Sequence, residues 1–150
     1  MARIRVLLVL GVVMLTVLAC AAMAQARSPE SLMMHKVNHF RRSHGLRGVR
    51  TSRSLRHSAK EYARHMLHSN YFGHAARIHA SHRFRRLGEI LEYQRGTRPN
   101  VREAFYCWLH SPSHRAIILD RSFTYAGAGR VAGRFQGGRN TIWVMHFGRP

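Results

Sequence analysis

The 150-residue chain is short of acid. It carries 6 Asp and Glu against 25 Lys and Arg, a formal net charge of +19. Lysine is scarce as well: Lys36 and Lys60 stand alone, so nearly all the positive charge is arginine. Such a surface attracts polyanions such as nucleic acid, anionic lipid head groups or phosphate-bearing envelope polymers. The basic residues are scattered and build no nucleic-acid module, which makes nucleic acid the least favoured of these partners. The plain alternative is arginine and histidine used as general solvated surface.

Cysteine is almost absent, and so are long apolar runs. Val6 to Ala19 is the one uncharged apolar stretch, preceded by Arg3 and Arg5 and followed by small residues with A-x-A sites at Ala22-Met23-Ala24 and Ala24-Gln25-Ala26. This order reads as a secretory signal peptide over residues 1–26. The run falls short of the roughly 18 apolar residues that a transmembrane anchor needs. Val17-Leu18-Ala19-Cys20 loosely matches a lipobox, so lipoprotein anchoring at Cys20 is the alternative. The expected protein is secreted or associated with the cell envelope, with no later membrane span. Losing the leader removes Arg3 and Arg5 and no acid, which leaves 23 basic and 6 acidic residues, +17. Cys107 is then the sole cysteine of residues 27–150. No internal disulfide can form, and the single domain must stand on its core; a monomer is the expected state.

Familiar catalytic signatures are missing too: there is no H-E-x-x-H, no G-x-S-x-G and no Gly-rich phosphate loop after a strand. What the chain does have is periodic structure. Ser28-Pro29-Glu30 is a helix start, followed by Met33, Val37 and Phe40 at helical spacing. Gly45 and Gly48 break that helix. A second helix begins near Thr51-Ser52, with Leu55, Ala59, Tyr62, Ala63, Met66 and Leu67 along one face. "GEILEY" reads as a short strand. Thr97-Arg98-Pro99-Asn100 opens a third helix with an apolar stripe through Val101, Ala104, Phe105, Trp108 and Leu109, stopped by Pro112. "SHRAIIL" is a brief helical turn. The tail is β-rich, with Gly137-Gly138 joining two strands and both faces of "NTIWVMHFG" apolar. Helices first and a hairpin last imply an α+β layered domain. Tyr71, Phe72, Phe105 and Trp108 read as core, and Cys107 as a buried inert thiol.

With 12 histidines in the chain, some metal-like spacings arise by chance. His35/His39 and His65/His68 share helix faces but have no acid or cysteine nearby and read as solvated. His74, Glu89 and His114 differ because each lies at a turn or the edge of an element. Two imidazoles and a carboxylate suit a zinc-like divalent cation completed by water. They equally suit acid–base work with Glu89 orienting a histidine. Histidines merely hydrogen-bonded across a groove would show the same spacing.

The segments "VNHFRRSHGLRGV", "LRHSAKEYARHML", "NYFGH", "GEIL", "CWLHSPSHRAIIL", "YAGAGRV" and "TIWVMHFG", in that order, resemble the CAP superfamily of cysteine-rich secretory, antigen 5 and pathogenesis-related proteins. The likeness is greatest to its compact secreted bacterial members. The resemblance implies one domain over residues 27–150, an α-β-α sandwich whose small, mixed but mainly antiparallel sheet lies between helical layers. It also implies a cleft lined by two histidines and two acids, known to hold divalent metal in several members. Here those positions are His74, His114 and Glu89, with Ser111 standing where the second acid is expected. A hydroxyl in place of a carboxylate weakens a cation site, so zinc or another divalent ion is expected to bind weakly. Lipid or envelope binding is the implied function, and metal-assisted or acid–base hydrolysis is the implied alternative. Three neighbours have expected roles: Gly73 gives a positive-φ turn before His74, Gly88 lets its strand lie close to the cleft, and Arg115 binds an anion or pairs with Glu92 or Glu103.

Overall fold

A computed structural model describes residues 27–150. The leader and Cys20 lie outside the described residues. Helix α1 (Pro29–Ser43) begins where the sequence signals it, with the Ser28 hydroxyl accepting from the Ser31 amide. Strand β1 (Arg50–Thr51) leads into helix α2 (Arg53–Ser69), capped by Ser52. An irregular stretch follows to strand β2 (Arg86–Arg95). Helix α3 (Val101–His110) is capped by Asn100, and Pro112 opens helix α4 (Pro112–Leu119). Strands β3 (Tyr125–Phe135) and β4 (Gly138–Arg149) close the chain.

The sheet order is β1-β3-β4-β2. Only the β1–β3 pairing is parallel, so the sheet is mixed and mainly antiparallel, as expected. The two-residue β1 is a feature the sequence reading lacked. The hairpin turn sits one residue earlier than expected, at Gln136 and Gly137. Both have positive φ, which gives the strand-compatible twist of a two-residue loop.

Strand β4 is central and buried from Asn140 to Gly148. Its alternation divides the core. Trp143, Met145 and Phe147 face a cluster with α1, α3 and α4. Ile142 and Val144 face Ala59, Ala63 and Met66 of α2. The sheet therefore separates two helical layers. Helix α2 lies directly on β3 because Gly127 and Gly129 have no side chains: a Cβ at either would collide with the backbone of Arg56 or Lys60. Among the described residues no helix is long and apolar enough to cross a membrane.

The second layer is tied down by a residue the sequence did not advertise. Arg41 is 2% exposed, and its guanidinium donates to the carbonyls of Arg47, Ile118, Asp120 and Phe123. This clamps α1 to the C-terminal end of α4. Cys107 is only half-buried, rather than sealed in the core. Burial, with Glu92 and Glu103 nearby, pushes its thiol up and keeps it protonated and inert.

Candidate functional site

Glu89 and His146 face each other as register partners on β2 and β4, on the α2 side of the sheet. Glu89 is 7% exposed and His146 is fully buried. The carboxylate uses both oxygens: Oε2 accepts from His146 Nε2 at 2.8 Å. Oε1 accepts from His74 Nδ1 and from the Ala75 amide, each at 2.9 Å. On the far side of His146, Nδ1 faces the Ser58 hydroxyl of α2 at 3.1 Å. Burial raises the pKa of Glu89, but the bonds from His146, Ala75 and His74 outweigh it and hold the group below its ordinary value. It is an anion at neutral pH.

His74 stands on the irregular stretch after α2, with its side chain 64% exposed. Tyr62 holds that stretch by donating from its hydroxyl to the Gly73 carbonyl at 2.7 Å. Burial, then the Glu89 charge and Tyr71, pushes Tyr62 up to about 12, so it stays a donor. Gly73 has a different role from the one expected. Its φ is not positive; instead a Cβ there would lie 2.6 Å from Cζ of Tyr71, which folds back over it. Tyr71 itself is 52% exposed and is not core, whereas Phe72 packs between Tyr93 and Phe135.

His114 comes from the first turn of α4, with its ring centroid 6.5 Å from that of His74. Its Nδ1 is buried without a partner. Burial, reinforced by His74, lowers its pKa from 6.5, so the ring is neutral at pH 7. Gly88 gives close approach to Phe123 and Ile117 beneath this helix. Ser111 caps α4 through its backbone, and its hydroxyl meets that of Ser113 at 3.1 Å. Arg115 pairs with neither Glu92 nor Glu103. It lies over the Phe40 ring and 3.4 Å from His44 Nε2.

His74, Glu89 and His114 are thus gathered, but not as three ligands around one point. Among the described residues no three His, Cys, Asp or Glu side chains are arranged to hold one metal ion. A divalent ion would find two imidazoles here, one neutral with an orphaned nitrogen and one braced by a carboxylate behind it. That is the donor chemistry of a histidine-ligated cation with a carboxylate in support. His35, His39, His65 and His68 are exposed helix-face residues, as expected. Sequence reasoning missed His146, hidden in an apolar strand, and the anchoring role of Tyr62.

No curated protein matches the chain. Solved structures do share its fold. An outer surface protein of Borrelia burgdorferi is 19% identical, with a TM-score of 0.69 over 83% of this chain and 95% of that one. An extracellular protein containing an SCP domain from Bacillus anthracis is 20% identical (TM-score 0.62), the match covering 81% of this chain and 40% of that one. A cysteine-rich secretory protein from Staphylococcus aureus is 18% identical (TM-score 0.56), covering 85% and 41%. The model of the cysteine-rich secretory protein family matches residues 34–147, from the middle of α1 to the end of the central strand, and the chain belongs to that family, CAP.

Proposed function

We propose that this chain is an exported CAP-domain binding module whose cleft takes up a divalent cation, zinc by donor chemistry, between His74 and His114. The observation that carries this reading is the pairing of His74 with Glu89 beside a neutral, partnerless His114 ring. Because Nδ1 of His74 is engaged by the carboxylate, Nε2 is left for a ligand. Two imidazoles and no first-sphere carboxylate make a weak, open site, with positions left for water or an oxygen-bearing envelope ligand. The basic surface favours an anionic lipid or wall polymer as that ligand's source. Isothermal titration of the domain over residues 27–150 with zinc tests the reading. Heat of binding is expected in the wild type and none in the His74→Ala/His114→Ala double variant. Identical traces would remove the cation.

Acid–base hydrolysis in the same cleft is the second reading, favoured by the carboxylate-braced imidazole of His74. Ser111 faces the Ser113 hydroxyl rather than an imidazole. The double variant separates the two readings: turnover lost with lipid binding retained would favour hydrolysis.

A further inference from the structure

We propose that His146 is a positioning residue for the cleft: acting through Glu89, it fixes which nitrogen of His74 is free. The inference deepens the cleft reading and rests on it for the identity of the acting imidazole. An ionised carboxylate only accepts hydrogen bonds, so every nitrogen facing Glu89 must donate. His146 therefore carries its proton on Nε2 and His74 on Nδ1.

The direction of control follows from rigidity. His146 is fully buried on the central strand, directly opposite Glu89, and Ser58 of α2 steadies its other edge at 3.1 Å. His74 rides on an irregular stretch and is mostly exposed. The fixed imidazole holds Oε2, which leaves Oε1 aimed at His74 and the Ala75 amide. An aliphatic residue at position 146 would suit the apolar strand equally well. It would also leave Oε2 buried without a donor and the carboxylate free to turn away from His74. The residue that breaks the strand's apolar run is thus the one that sets the cleft histidine's tautomer.

The test is imidazole nitrogen–proton correlation NMR on the metal-free full domain. Wild type is expected to show a single Nδ1–H tautomer for His74 and a single Nε2–H tautomer for His146. In His146→Leu, which matches the volume but cannot donate, His74 is expected to become a mixture of tautomers. His146→Gln, whose amide can donate to Glu89, should restore the single form. Zinc affinity should fall about 10- to 100-fold in the leucine variant and recover with glutamine. If His146→Leu fails to fold, His146→Asn, too short to reach Glu89, takes its place with the same expectations. An Nε2–H tautomer for His74 in wild type would overturn the proposal. So would an unchanged His74 tautomer in a folded leucine or asparagine variant. The NMR readout needs no metal, so a failure of zinc to bind would remove the cleft reading and leave this one standing.

Discussion

Glu89 and Glu92 are three residues apart on β2, point to opposite layers, and are pushed in opposite directions. Glu89 meets three donors and is held as an anion. Glu92 faces α3, where burial and then the Glu103 charge raise it from 4.5 to about 7. A raised carboxyl holds its proton more tightly when folded than when unfolded. Its contribution to stability is therefore complete below about pH 4.5 and is lost as pH rises through about 7. Glu92→Gln should leave the melting temperature unchanged near about pH 4 and raise it near about pH 8.5. The gain should be on the order of 1 kcal/mol, well below the full shift because the side chain is partly solvated. Calorimetry at the two pH values checks this, and an equal effect at both would show that the charge is not the cause. No sequence pattern foretells the opposite shifts of these two glutamates, because the cause lies in partners far along the chain. The same holds for His146. Its alternation with Trp143, Met145 and Phe147 gives its face but not its partner. The turns and glycines around His74, Glu89 and His114 gave a signal that histidines bridging any groove would share; the family resemblance is what singled these three out.

Helices and hairpin were legible because their signals are local. Ser28, Ser52 and Asn100 each accept from an amide of the first turn of their helix, as side chains of that type do. Two doubly apolar faces on β4 marked a strand covered on both sides. Strand β1 was illegible because two residues carry no period, and its pairing with β3 is decided across the fold. How α4 is set in place is equally non-local. The helix that presents His114 is short, and its far end hangs on the buried guanidinium of Arg41. Burial lowers the pKa of that group, with Asp120 opposing, yet an arginine remains charged. Arg41→Met fills similar space but leaves the Ile118 and Phe123 carbonyls without this donor. It should cost about 2–4 kcal/mol. Urea denaturation of the variant checks the magnitude. A change below about 0.5 kcal/mol, the scale of an ordinary surface substitution, would mean the clamp is dispensable.

At the scale of the molecule, the fold decides where the excess charge can act. Arg53, Arg56 and Lys60 project along one side of α2 and line a groove against Ala128 and Gly129, where α2 closes on β3. Glu30 is the acid in that groove, and it already faces Arg130 at 3.7 Å. Arg98, Arg102 and Arg139 are also exposed, but none lines this groove. If charge alone draws the protein to an anionic surface, any three arginines count equally. If the groove concentrates it, its own three count more, because low-dielectric walls focus the field. Sedimentation with phosphatidylglycerol vesicles decides between these. Wild-type binding should fall steeply between about 50 and 200 mM salt, in the manner of counterion release. Replacing Arg53, Arg56 and Lys60 by serine should lower the slope of log affinity against log salt by about 2–3, roughly one per lost phosphate contact. Replacing Arg98, Arg102 and Arg139 should lower it by less than about 1. Equal slopes for the two triple variants would reduce the basic surface to evenly spread, solvated arginine.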